Sequence, residues 1–212
     1  MTHPGPTDNA SRLGVIILGA GASARMGQPK LLLSWNGTTI IGHLIRQWQA
    51  LDAAQVTVVC RPNDEPLFAE LDRLGFPREN RILNPQPERG MFSSIQCAAH
   101  WAGWQPGLTS WAIVLGDQPH LHSETLLNLL AFHARHSIAI CQPSHEGHAG
   151  HPVLLPQSAF EQLENTDAQT LKTFLKQNDA SIVKCPVTDP GLALDLDTPE
   201  DYKRITSKTP GT

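Results

Sequence analysis

The sequence predicts an α/β fold with a mostly parallel central sheet flanked by helices. Apolar runs rich in β-branched residues alternate with segments of helical period, and the first such run feeds a loop of small residues of the kind open α/β sheets carry at a ligand-binding edge. The 212 residues suffice for one layered unit and are too few for two large ones.

Strands are expected at Val15 to Leu18, Val56 to Cys60, Ala112 to Leu115, Ile138 to Cys141 and Ile182 to Cys185, all dominated by residues that suit a pleated, buried surface. The clearest helix runs from Thr39 to Leu51. Its Ile41, Leu44, Ile45, Trp48 and Leu51 fall on one face, with Gly42, Arg46, Gln47 and Gln49 elsewhere. Further helices are expected at Glu65 to Leu74, Ser93 to Ala102, Glu124 to His133 and Thr170 to Lys176. A last one follows Thr198, which supplies an N-cap, with Pro199 at the first helical position and Glu200 and Asp201 in the first turn. Asn84 to Met91 and Pro143 to His151 read as unusual loops. His133 and His136 read as a solvated helix face, whereas Trp101, Trp104 and Trp111 read as core. With no repeat, charge block or low-complexity linker, the chain divides into a flexible leader (1–12), one unit (13–206) and a flexible tail (207–212).

Sixteen Lys and Arg against twenty Asp and Glu give a formal net charge of -4, which lacks the broad positive field of a protein that wraps nucleic acid. No apolar run approaches the ~18–20 residues of a membrane span. Cys60, Cys97, Cys141 and Cys185 lie far apart without a Cys-x-x-Cys pair, a pattern that suits reduced thiols and a cytoplasmic location.

The loop Gly19-Ala20-Gly21-Ala22-Ser23-Ala24-Arg25-Met26-Gly27-Gln28-Pro29-Lys30 combines small side chains with two cations. Small residues let backbone N–H groups approach phosphate oxygens, Arg25 can fork onto two oxygens, and Lys30 acts as a point charge. Gly19-x-Gly21-x-x-Ala24 also satisfies a dinucleotide fingerprint. That reading needs a helix where Gly27 and Pro29 stand, and an acid after the second strand where Cys60-Arg61 stand instead. No G-x-x-x-x-G-K-[ST] occurs.

Leu18-Gly19-Ala20-Gly21-Ala22-Ser23-Ala24-Arg25-Met26-Gly27 with Pro29-Lys30-Leu31-Leu32-Leu33 resembles the opening motif of the MobA-like nucleotidyltransferases, in their molybdenum cofactor cytidylyltransferase branch. Asn84 with Gly90-Met91-Phe92-Ser93-Ser94, then Gly116-Asp117-Gln118-Pro119, Gly150-His151-Pro152-Val153-Leu154 and Asp195-Leu196-Asp197-Thr198-Pro199-Glu200-Asp201-Tyr202 fall in the family's order, so the resemblance spans Val15 to Tyr202. It implies a Rossmann-like nucleotidyltransferase domain and transfer of a nucleotidyl group with release of pyrophosphate. The implied nucleotide site comprises Leu18, Gly19, Ala20, Gly21, Ser23, Arg25, Lys30, Asn84, Gly90, Ser93 and Ser94. Arg25, Lys30, Asp117 and Asp197 are the implied catalytic residues, with Mg²⁺ on Asp117 and Asp197. Gln118, Pro119, Gly150, His151 and Pro152 are expected to face the acceptor.

The chemistry asks for the same residues. Nucleotidyl transfer needs positioning and charge neutralisation more than a protein nucleophile. Asp117 follows a strand and should stand at the carboxyl edge of the sheet, and a hard Mg²⁺ ion takes one or two carboxylates plus phosphate oxygens. Singly, Asp117 reads as a turn residue and Asp197 as a helix-start acid; Gly90 to Ser94 reads as a turn feeding a helix N-terminus that can bind sugar or phosphate. His145, His148 and His151 recur every third residue, but their Gly-rich loop lacks the spacing of a His-Glu-x-x-His zinc helix.

Ala20 stands where the resembling family carries Ala with CTP and Gly with GTP, so CTP is the favoured substrate and molybdopterin the favoured acceptor, with a molybdoenzyme as eventual recipient. Gly19, Ser34, Ala149 and the stretch Asn165-Thr166-Asp167-Ala168-Gln169-Thr170 depart from the branch pattern. A sugar phosphate is the alternative acceptor, a NAD(P)H-dependent oxidoreductase the alternative enzyme, and a non-catalytic nucleotide sensor or cofactor chaperone a third reading.

Overall fold

The computed structural model describes residues 12–21 and 26–207. The expected leader up to residue 11, Ser23 and Arg25 in the first loop, and residues 208–212 of the expected tail lie outside the described residues.

The elements run β1 (Leu13–Leu18), β2 (Ser34–Trp35), β3 (Thr38–Thr39), α1 (Ile40–Ala50), β4 (Gln55–Cys60), α2 (Glu65–Arg73), β5 (Arg81–Leu83), α3 (Met91–Ala99), β6 (Ser110–Leu115), α4 (Ser123–Arg135), β7 (Ile140–His145), β8 (His148–Ala149), β9 (Val153–Pro156), α5 (Gln157–Asn165), α6 (Leu171–Gln177), β10 (Ile182–Pro186) and α7 (Pro199–Thr206). The main sheet has the order β10-β7-β9-β6-β1-β4-β5, with β8 paired to β7. β1 runs parallel to β4 and β6, and β10 parallel to β7, while β9 runs antiparallel between β6 and β7. No helix among the described residues is long and apolar enough to cross a membrane.

Strands buried on both faces explain the continuous apolar runs. In β1, Val15 and Ile17 face one core layer with Leu44, Leu71 and Leu129 from α1, α2 and α4; Ile16 faces the other with Ile95, Phe160 and Phe174 from α3, α5 and α6. The chain steps outward from β1 to β4 and β5 with its helices on the first face, then returns to β6 through α3 on the second. That reversal creates a crevice at the carboxyl ends of β1 and β6, where open α/β sheets bind ligands.

Local signals set the boundaries. Thr39 caps α1 by accepting from the Gly42 N–H (3.2 Å), and Thr198 and Asp201 form a reciprocal capping box at α7. Trp111 stacks on Phe160 with ring centroids 4.2 Å apart and is core, whereas Trp104, which meets both edge-on, and Trp101 are only partly buried against it.

Four expectations are corrected. Ile138 is 87% exposed and precedes the strand, which starts at Ile140, since the turn at His136 still closes on Ala139. Pro143 to His151 is largely a hairpin: β7 continues to His145 and pairs with β8 around Glu146-Gly147, both with positive φ. β9 was hidden inside the Gly150 to Leu154 motif, yet its Val153, Leu154 and Leu155 are fully buried. His133 is 2% exposed rather than solvated. It extends the buried Leu126–Leu129 stripe of α4, places Nδ1 3.4 Å from Cys141 Sγ, and has its pKa lowered by burial.

Candidate active site

β1 ends where the Gly19 N–H donates to the Val59 carbonyl (2.9 Å), and the chain turns across the sheet edge. Leu31, from the short helical turn Lys30–Leu32, packs down onto this turn. A Cβ on Gly19 would lie 2.9 Å from Val59 O and 3.2 Å from Leu31 Cδ1; one on Gly116 would lie 2.8 Å from Leu31 Cδ2 and 2.9 Å from Leu18 O. Both glycines are therefore required by close approach. Gly19→Ala is expected to destabilise the protein by about 1–3 kcal/mol through overpacking against a backbone carbonyl, read as a lower urea midpoint at unchanged slope. Gly21 differs, because among the described residues nothing lies within 4 Å of its would-be Cβ.

That open space belongs to a pocket of about 320 Å³ lined by Leu18, Ala20, Gly21, Gly90, Ser94 and Asp117, with Pro87, Met91, Leu115 and Gly116 completing its wall. The Lys30 ammonium lies 3.2 Å from Asp117 Oδ2 and 3.0 Å from Asp197 Oδ1, drawing the loops after β1 and β6 and the segment before α7 to one point. Burial pushes the Asp117 pKa up, against the opposing pull of Lys30, and the charges of Asp195 and Asp197 push it further. Its Oδ1 is buried without a hydrogen-bond partner among the described residues.

On the other wall, Asn84 is 1% exposed. Its Nδ2 donates to Ser93 Oγ (2.8 Å) and Ser94 Oγ (3.0 Å), and its Oδ1 accepts from the Gln86 N–H (2.9 Å). Ser93 donates in turn to the Gly90 carbonyl (2.7 Å). Asn84 and Ser93 thus brace the start of α3, whereas Ser94 reaches the pocket with its hydroxyl hydrogen available to donate. Helix α3 starts at Met91, two residues before the expected Ser93, because Gly90 supplies the positive φ at its N-cap.

Behind Asp117, the Gln118 amide donates to Asp195 Oδ1 (3.1 Å). Pro119 is buried, Gly150 lies under Leu192, and Pro152 shares a small crevice with Gln118. His151 is half-buried with its Nε2 buried and unpartnered among the described residues, and burial takes its pKa down to about 4 despite the opposing charge of Asp195, so the ring is neutral at physiological pH. His145 and His148 are cross-strand partners, and His145 Nδ1 lies 3.1 Å from the Val187 carbonyl. Among the described residues no three His, Cys, Asp or Glu side chains are arranged to hold a metal ion. Asp117 and Asp197 form a pair, which suits a cation whose remaining ligands are phosphate oxygens and waters. The carboxylate oxygens and the unpartnered Asp117 Oδ1 fit such an ion.

Cysteine nucleophiles are absent from this picture. All four cysteines are free, and burial pushes Cys60 and Cys141 up to about 12. From Met26 to Thr39 there is no α-helix, so the helix that a dinucleotide fingerprint needs is missing there. Of the residues named from the sequence, the structure places Leu18, Ala20, Gly21, Gly90, Ser94 and Asp117 around one pocket, with Lys30 and Asp197 joined to it through Asp117. Sequence reasoning missed Pro87 and Met91 as lining residues, though they lie in the loop flagged at Asn84 to Met91, and it missed the Gln118–Asp195 bond, for which the Asp195-x-Asp197 alternation was the available signal.

The family model described as a MobA-like NTP transferase domain matches residues 15–182. The chain is 27% identical over 203 residues to a molybdenum cofactor cytidylyltransferase from Escherichia coli, covering 93% of this chain and 96% of that protein. It is 29% identical over 193 residues to a molybdenum cofactor guanylyltransferase from Pseudomonas fluorescens, covering 88% and 90% respectively. Among solved structures, Rv0371c from Mycobacterium tuberculosis H37Rv superposes with a TM-score of 0.72 at 23% identity, covering 94% of this chain and 99% of that one; the same protein has also been solved in complex with manganese.

Proposed function

The chain belongs to the MobA-like NTP transferase family, and on that premise we propose that residues 13–206 form a Mg²⁺-dependent nucleotidyltransferase that moves CMP from CTP onto the phosphate of molybdopterin. The observation that carries the reading is the Lys30 ammonium held between Asp117 and Asp197 beside an open, glycine-lined pocket.

An oxygen of the acceptor phosphate attacks the α-phosphorus of the nucleotide, the bond from that phosphorus to the bridging oxygen breaks, and pyrophosphate leaves. A phosphate monoester has a second pKa near ~6, so the attacking oxygen is already ionised at neutral pH and needs no general base. Asp117 and Asp197 would hold the Mg²⁺ ion, which when bound neutralises charge on the phosphates. The manganese complex of a protein with this fold is in keeping with a divalent cation. Lys30, together with Arg25, would neutralise the phosphates; the backbone from Gly19 to Gly21, with Ser23, would admit them closely; and Ser94, with Gly90, would contact the sugar. Gln118 Oε1 and His151 Nε2, both buried without partners near Asp195, support an acceptor side formed with Pro119, Gly150 and Pro152.

The two curated relatives differ in base and match the chain almost equally, so they do not favour either nucleotide. Ala20 in the opening motif supports CTP. The test is pyrophosphate release with Mg²⁺, molybdenum-loaded molybdopterin and CTP, GTP, ATP or UTP in turn. Release with CTP is expected. Preference for GTP would overturn the base assignment, and turnover of a sugar phosphate in place of molybdopterin would overturn the acceptor. A molybdoenzyme receiving the product belongs to the same proposal.

A further inference from the structure

The two metal carboxylates proposed above come from segments that are not strand partners. Asp117 sits in the turn after β6 and Asp197 in the segment before α7, 80 residues later in the chain. A cation site needs their spacing fixed to a few tenths of an ångström, and loops do not supply that unaided. The backbone provides one stitch, from the Leu196 N–H to the Asp117 carbonyl at 3.2 Å. Gln118 provides another. Its side chain is 5% exposed, and its Nε2 donates to Asp195 Oδ1 at 3.1 Å and lies 3.5 Å from the Leu194 carbonyl. Both partners can only accept, so the orientation of this amide is unambiguous. The chemistry of Asp195 shows why such a tie is needed. It is a third carboxylate, two residues from Asp197 and bonded to the neighbour of Asp117, and if untethered it can swing toward the cation and disturb the pair.

We propose that Gln118 is a positioning residue: by donating to Asp195 it fixes that carboxylate in place and locks segment 194–197 against the turn 116–118, so that Asp117 and Asp197 face one divalent ion. The assignment rests on the reading of those two aspartates as the cation carboxylates. It differs from a contact with the acceptor, because it acts before any acceptor binds.

The test is Mn²⁺ titration by electron paramagnetic resonance, with CTP present and acceptor omitted, on the full chain. Outer-shell partners of metal ligands typically cost about 10–100-fold in affinity when removed, and Gln118→Leu is expected to weaken Mn²⁺ binding within that range. Gln118→Glu places a carboxylate against Asp195 and should weaken it at least as much. The double variant Gln118→Glu with Asp195→Asn restores one amide–carboxylate hydrogen bond with its polarity reversed, and recovers most of the affinity; a packing role for Gln118 would give no such rescue. Affinity unchanged in Gln118→Leu, or no recovery in the double variant, overturns the assignment. Asp117→Asn separates the two levels. If it leaves Mn²⁺ binding intact, the cation-site reading itself fails; if it removes binding while Gln118→Leu does not weaken it, only the role of Gln118 fails.

Discussion

Asp117→Asn should lose pyrophosphate release while melting at a higher temperature than the wild-type protein in the absence of nucleotide and metal at pH 7. The loss follows from the site. Asp117 is the carboxylate that both lines the pocket and touches Lys30, and Asn keeps its shape without the charge that a hard cation requires. Removing one preorganised electrostatic group from such a centre costs on the order of 10²–10³ in turnover, and a ligand to the cation should cost at least that. The gain in stability follows from the same burial. The Asp117 pKa is raised, first by desolvation and then by Asp195 and Asp197, so the folded protein holds this proton more tightly than the unfolded chain. Stability therefore falls as pH rises from the ordinary carboxylate range, near ~3.9, through the folded value. Asn avoids it, and Lys30 keeps Asp197. Scanning calorimetry at pH 7 and at pH 4 reads the effect, since each kcal/mol moves Tm by about 2–4 °C at this size. The gain should shrink at pH 4, where Asp117 is more protonated in both states. A variant that turns over at more than a tenth of the wild-type rate, or one less stable at pH 7, contradicts the assignment.

That a stability penalty sits at the pocket fits the way the sequence could and could not be read. The central strands were legible because burial on both faces leaves continuous apolar runs: Val56 to Cys60 and Ala112 to Leu115 each fall within an observed strand one or two residues longer. β5 and β9 were not. β5 has only Arg81, Ile82 and Leu83, of which Ile82 alone is buried, too little for a pattern. β9 follows a Gly-His-Pro segment whose punctuation reads as loop, and only pairing to β6 and β7 makes it a strand. The site divides along the same line. Asp117 and Lys30 could be placed because each adjoins a strand or a motif with a phosphate logic. Asn84 could be named but not given its position: that it is buried, holding Ser93 and Ser94 while only Ser94 reaches the pocket, depends on α3 beginning at Met91. The meeting of Lys30 with Asp197 spans 167 residues, and no local period encodes it.

Lys30→Met is expected to lower turnover and to make the stability of the protein depend on divalent cations. In the wild-type protein the ammonium lies about 3 Å from both carboxylates and is only 12% exposed, so it neutralises them when no metal is bound. Methionine fills a similar volume and removes that charge. Asp117 and Asp197 then both lose that neighbouring charge in a partly buried space, each 27% exposed. Removing one partner of a fully buried ion pair costs about 3–5 kcal/mol, and solvent screening at these exposures reduces the cost here. Tm should therefore fall in EDTA. Addition of Mg²⁺ or Mn²⁺ should restore it by more than the same addition raises the wild type, because in the wild type the cation must displace a lysine already in place, and the linkage gain depends on ion affinity. Turnover should fall by on the order of 10²–10³ through loss of charge stabilisation on the phosphates, and added metal should not recover it, since the ion and the lysine serve different oxygens in the reacting complex. Differential scanning fluorimetry across a metal series, with parallel pyrophosphate assays, separates the two effects. Identical metal dependence in variant and wild type would show that Lys30 is not holding the place of the cation. Full activity at saturating Mg²⁺ would show that it serves only as that placeholder and leaves the phosphates to other residues.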